Sequence, residues 1–209
     1  MSRIRCFFLE PTDQVEMDLR RYVGSKEGGP CSAPANYGYH NADVVIGRRP
    51  ASECPELHNG EPMSGDVWPR DDSRWPKKCA GGYEFKPEDP WQFNSRPLYR
   101  RSDSGELVTL GKAPPGAMWF APWFSDTPQW CGPDGNTLCV RCPDGHDWIV
   151  DGRASNCGLP QDDVHKCWVR HGTPPDITVD KNGVTCNAGG GSIATPKWHG
   201  FLRNGWLEP

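Results

Sequence analysis

Glycine and proline punctuate this chain more than any other feature does: 24 glycines and 22 prolines are spread over 209 residues without a repeat or a tract. Glycine admits backbone conformations closed to other residues, and proline fixes φ and removes a donor. The pattern therefore predicts many tight turns joining short extended segments. Such a composition also approaches the low-complexity range. Ten tryptophans, seven phenylalanines and five tyrosines argue against disorder, because a few large aromatic anchors can fill a small core. The predicted fold class is mostly β, an irregular, loop-rich β-sandwich or barrel-like sheet built from short hairpins, with little helix. The organisation expected is an N-terminal β-rich part with long loops over residues 1–110 and a C-terminal β-hairpin domain over 111–209, or one continuous domain.

Turn chemistry places the segments. Cys142-Pro143-Asp144-Gly145 separates strand-like runs at Thr137 to Arg141 and Asp147 to Val150, and Ser102-Asp103-Ser104-Gly105 separates Pro97 to Arg100 from Glu106 to Leu110. Asp180-Lys181-Asn182-Gly183 follows a run at Asp176 to Val179, and Tyr83 to Phe85 is a further short strand candidate. Asn204-Gly205, between Phe201 to Arg203 and Trp206-Leu207, is the strongest two-residue hairpin signal in the chain. Near the N-terminus, Ile4, Cys6 and Phe8 alternate, as do Val15, Met17 and Leu19. Pro11-Thr12-Asp13 between them predicts a hairpin turn, with a helix from Asp13 to Val23 as the alternative. The stretch 24–74 reads as a turn-rich excursion broken by one strand at Ala42 to Ile46.

A net charge of −4, with lysines and arginines scattered, gives no electrostatic footprint for nucleic acid. The N-terminal apolar run is too short for a signal-peptide core, and no later run is long enough to span a bilayer. The expectation is synthesis in the cytoplasm with no membrane anchor.

Ten cysteines invite three readings. Without a secretion signal they can be reduced, buried thiols. Cys139-x2-Cys142 ahead of a tight turn can also be half of a zinc knuckle, completed from Cys157, His165, Cys167, His171 or Cys186. His165-x-Cys167 sends both side chains to one strand face, so the candidate zinc ligands are Cys139, Cys142, His165 and Cys167; His146 and His199 are weaker candidates, since lone histidines beside Trp148 and Trp198 are more often packing residues. An even cysteine count also permits disulfides after release from a cell. No Walker-type loop, G-x-G-x-x-G, H-E-x-x-H or G-x-S-x-G occurs, and acidic pairs such as Asp71-Asp72 and Asp162-Asp163 read as solvated loops. The one nucleophile candidate is Cys157, with His165 and His171 downstream. Pro160 follows too closely for a helix whose N-terminus would activate the thiol.

The segments Asp147-Trp148-Ile149-Val150, Cys167 to Val179 and His199-Gly200-Phe201-Leu202-Arg203-Asn204-Gly205 carry a resemblance. The chain resembles a family encoded in tailed-bacteriophage genomes. Its segment 139 to 207 is similar to small Cys/His-bearing domains of unknown function that end in a His-x-Phe-hydrophobic-Arg-x-Gly hairpin. The resemblance implies either a virion component, such as a capsid decoration or cement protein or a head-tail component, or an accessory protein made in the infected cell; the virion component is the reading taken, with synthesis in the host cytoplasm. Such a protein is oligomeric in an assembly and bound to capsid or tail proteins, without nucleic acid or membrane as partner. The alternatives are a Cys/His peptidoglycan hydrolase acting through Cys157 and a zinc-stabilised binding module.

Overall fold

The computed structural model describes residues 3–33, 38–53, 68, 71–124, 126–160 and 165–209. Cys54 and the Asp162-Asp163 pair lie outside the described residues. The fold is mostly β. In chain order the strands are β1 Ile4–Arg5, β2 Phe7–Val23, β3 His40–Pro50, β4 Trp91–Arg101, β5 Leu107–Val108, β6 Ala117–Phe120, β7 Leu138–Arg141, β8 Asp147–Ile149, β9 Val169–His171, β10 Thr178–Asp180, β11 Ile193–Ala194, β12 His199–Arg203 and β13 Trp206–Glu208. Helical structure among the described residues is limited to the four-residue α1, Ser25–Gly28, and single 3-10 turns. The chain forms two compact units, Pro11–Leu98 and Met1–Glu10 with Tyr99–Pro209, and β2 and β4 contribute residues to both.

In the Pro11–Leu98 unit, β2 lies between β3 and β4 and pairs antiparallel with β3 from Gln14↔Pro50 to Val23↔His40, with a bulge at Met17/Asp18. The hairpin expected at Pro11-Thr12-Asp13 is overturned, and so is the helix from Asp13, because β2 runs extended through all of it. The Thr12 hydroxyl donates to the Leu98 carbonyl (2.6 Å) and accepts the Gln14 N–H (3.2 Å). The turn residues are thereby tied to a distant strand, and non-local pairing overrides local propensity. Every residue from Val15 to Leu19 is buried. Val15, Met17 and Leu19 pack with Trp75 and Phe93, while the alternate face buries Glu16 against Arg48 (3.2 Å) and Asp18 against Arg96 (3.0 Å). Buried carboxylates persist when they are paired in this way. Around Tyr83 to Phe85 only an isolated bridge, Lys78↔Glu84, forms.

In the other unit, β1, β13, β12 and β11 form one open sheet and β9 pairs with β10. The start of β2 runs parallel to β6, and β6, β7 and β8 follow in antiparallel order. The predicted turns at Ser102 to Gly105 and Cys142 to Gly145 close their hairpins, with Gly145 N–H donating to the Cys142 carbonyl (2.9 Å). Asn204 and Gly205 both take positive φ, 47° and 71°, as a two-residue hairpin turn demands. A β-carbon on Gly205 would sit 2.5 Å from the Pro175 carbonyl oxygen. Two apolar clusters fill this unit: Leu138, Val140, Val150, Ile177, Ile193 and Leu202 are fully buried in one, while Phe7, Leu9 and Trp119 anchor the other. Asp144 fastens the β7–β8 turn to the β11–β12 connection, accepting from Thr195 Oγ1 (2.7 Å) and the Lys197 N–H (3.1 Å).

Candidate metal centre

The loop after β8 and the two segments flanking β9 and β10 are too rich in turn residues for a ladder of their own, so side chains and single backbone bonds hold them. The Cys157 N–H closes a turn onto the Ala154 carbonyl (3.0 Å). The Cys186 N–H donates to the Lys166 carbonyl (3.0 Å), which sets Cys186 beside His165 and Cys167. The Lys181 ammonium donates to the carbonyls of Cys167, Cys186 (2.6 Å) and Ala188 (2.9 Å) and draws the two strands of chain together. Behind them, Trp168 donates from Nε1 to the Val150 carbonyl (2.6 Å) and packs on Trp148 at 5.5 Å, so the cluster rests on the core.

The result is a convergence of four donors. One ligand atom each from Cys157, His165, Cys167 and Cys186 lies within 4.8 Å of every other. His165 Nε2 is 3.2 Å from Cys157 Sγ and 3.6 Å from Cys167 Sγ. A tetrahedral zinc ion with Zn–S near 2.3 Å and Zn–N near 2.05 Å has ligand-to-ligand edges of about 3.8 Å (S–S) and about 3.6 Å (S–N). The observed S–N distances are close to that edge, and the three cysteines are free thiols. Three thiolates and an imidazole form a soft, closed donor set suited to zinc.

Hydrogen-bond donors point at two of the sulfurs. The Leu159 N–H and the Arg153 guanidinium, whose Nη2 donates to Cys157 Sγ at 3.0 Å, hold the Cys157 thiol down to about 6. The Ala188 N–H donates to Cys186 Sγ (3.3 Å). Burial pushes the Cys167 thiol up. Three thiolates on a divalent ion leave a net charge of −1, which Arg153 and Lys181 offset.

His165 and Cys167 thus meet each other, and Cys157 and Cys186 join them, whereas Cys139 and Cys142 lie elsewhere. The reason is strand geometry. Cys139 lies within β7 and Cys142 one residue past its end, and residues three apart along a strand face opposite sides. Each therefore enters a different apolar cluster, and burial pushes both thiols up to about 12. His171 is exposed, with Nε2 2.9 Å from Asp180 Oδ1, and His146 and His199 join no donor group among the described residues. Cys186 follows Cys167 by 19 positions with no recurring spacing, and only the Lys181 and Lys166 contacts reveal that it belongs.

The same atoms bear on the nucleophile reading, because a thiol 3.2 Å from an imidazole is the contact a Cys/His dyad needs. No carboxylate is part of the group among the described residues, and two further thiols converge on the same imidazole. No protein family matches the chain, and neither a curated protein nor a solved structure matches it.

Proposed function

We propose that this chain is a structural protein that works through protein–protein contacts, its C-terminal loops fixed by a zinc ion on Cys157, His165, Cys167 and Cys186. The convergence of those four donors carries the reading. Four protein ligands occupy every position of a tetrahedral ion, the arrangement of a structural site rather than of a catalytic one that keeps a place for water. The loops fixed in this way present apolar side chains to solvent: Leu159, two residues after Cys157, is 51% exposed and Val184, two before Cys186, is 91% exposed. Trp123, in the 3-10 turn Pro122–Phe124, is also exposed and is of the residue type that most often anchors interfaces. The resemblance to tailed-phage proteins supports a place on the particle, with capsid or tail proteins as partners. Mass spectrometry of purified particles should find the chain at structural copy number, and its absence from them would overturn the virion assignment.

The 3.2 Å Cys157–His165 contact favours a second reading, a peptidoglycan hydrolase using Cys157. Metal-loaded and metal-stripped protein should both leave purified cell walls intact under the structural reading. Clearing of the walls that is abolished by Cys157→Ser would establish the hydrolase instead.

A further inference from the structure

The Pro11–Leu98 unit contains a second group of soft donors that the first centre does not use. Ligand atoms of Cys31, His40 and Cys79 lie within 4.8 Å of one another. Cys31 Sγ is 3.8 Å from Cys79 Sγ, and Cys79 Sγ is 3.5 Å from His40 Nδ1. These are the S–S and S–N edges, about 3.8 and about 3.6 Å, of a tetrahedron around one zinc ion.

The surroundings of the trio are arranged as those of metal ligands are. His40 Nε2 lies 2.9 Å from the Gly28 carbonyl oxygen. A carbonyl only accepts, so Nε2 carries the proton and the lone pair of Nδ1 faces Cys79, the orienting contact that metal-bound histidines make through their other nitrogen. Stacking on Tyr83, at 4.3 Å and 16°, fixes the ring plane. The Cys79 N–H and carbonyl close a turn with Tyr83 and Gly82 (both 3.0 Å), inside which the Gly81 N–H donates to Cys79 Sγ (3.3 Å). A β-carbon on Gly81 would lie 2.6 Å from Cys31 Sγ, so glycine is what allows the two sulfurs to approach. His40 and Cys79 are buried, at 4% and 5% exposure. The three residues are far apart in the chain, with Cys31 and Cys79 48 positions apart. They tie together a unit whose buried apolar cluster has five members among the described residues, the kind of small core that metals commonly reinforce.

We infer that Cys31, His40 and Cys79 bind a second zinc ion, independent of the first, that cross-links the loops of the Pro11–Leu98 unit. Three ligands leave one coordination position, and among the described residues no fourth Cys, His, Asp or Glu joins the group.

The test is zinc content of the full-length protein, produced with zinc and purified reduced and without chelator. Wild type should carry about two zinc ions per chain, and Cys79→Ser and the double variant Cys157→Ser/Cys186→Ser about one each. A single equivalent that survives Cys79→Ser and vanishes in the double variant would overturn the second site while leaving the first. A single equivalent lost with Cys79→Ser and kept in the double variant would support the second site and remove the first. Wild-type protein supplies a readout that needs no variant. Iodoacetamide labelling of Cys31 and Cys79, located by peptide mass, should rise at least about tenfold when a chelator removes the metal. Labelling that is unchanged by the chelator, or a Cys31–Cys79 disulfide in protein purified under reducing conditions, would overturn the proposal.

Discussion

Replacing Cys167 with serine is expected to lower the melting temperature by on the order of 10 °C and to make unit Met1–Glu10 with Tyr99–Pro209 insensitive to chelators. Cys167 is the buried member of the four-donor group and belongs, with Trp168 and Val179, to the main apolar cluster. Structural zinc contributes roughly 10 kcal/mol or more in small zinc-folded peptides. Losing even about 3 kcal/mol of that would move the midpoint by about 10 °C in a chain of this size, at about 2–4 °C per kcal/mol. Chelator added to wild-type protein should produce a drop at least as large, because it also removes the ion inferred on Cys31, His40 and Cys79. Cys139→Ala is the matching control: Cys139 packs against Phe7 and Trp119 and touches no donor group, so the variant should lose packing energy but keep its full response to chelator. A Cys167→Ser protein that melts with wild type would remove the metal from this account.

A loss of similar size is expected from Arg170→Ala, for an electrostatic reason. Arg170 on β9 is almost fully buried, its Nε donating to both oxygens of Asp151 at 2.8 and 2.9 Å and its Nη2 to the Asn136 carbonyl at 3.1 Å, with Asp134 completing the guanidinium's contacts. Asp151 is buried too, accepts the Leu138 N–H, and has its carboxyl pushed up by burial despite the arginine. Removing the guanidinium leaves that carboxylate without its cation, which costs about 3–5 kcal/mol. The cost should depend on pH in a defined direction. With Arg170 gone, the folded Asp151 carboxyl titrates still further above its unfolded value near 3.8, so the folded state holds the extra proton. The penalty relative to wild type is therefore smallest near pH 4 and grows as pH rises towards neutrality. Urea unfolding at pH 4.5 and 7.5 reads it directly, and an equal penalty at both would contradict the burial argument. Arg170→Lys keeps the charge but not the fork that grips Asp151 and Asn136 together, and should recover only part of the loss.

The parts of this fold that could be read from sequence are those in which local chemistry decides. Asn204-Gly205 has two residues able to hold positive φ, and Cys142-Pro143-Asp144-Gly145 closes on its own backbone. Their hairpins form where the turn residues put them. Pro11-Thr12-Asp13 has equally good turn residues and makes no turn, because Thr12 is bonded to Leu98 at a separation of 86 residues. Glu16 and Asp18, between the alternating Val15, Met17 and Leu19, are buried with arginines that the sequence places 32 and 78 residues away. The donor group divides in the same way. His165 and Cys167 share a face because they are two apart, a relation visible in the chain, whereas Cys157 and Cys186 arrive through loops held by Arg153 and Lys181. His40 gave no sign at all, since its pairing with Cys79 depends on how β3 meets a glycine turn 39 residues on.

The most direct test of the central claim is a crystal of the full-length protein, grown without chelator, with diffraction recorded on both sides of the zinc absorption edge. A bound structural zinc predicts an anomalous peak present only above the edge, about 2.3 Å from the sulfurs of Cys157, Cys167 and Cys186 and about 2.0–2.1 Å from His165 Nε2. Four reduced side chains with no peak between them, or a disulfide joining two of these cysteines, would contradict it.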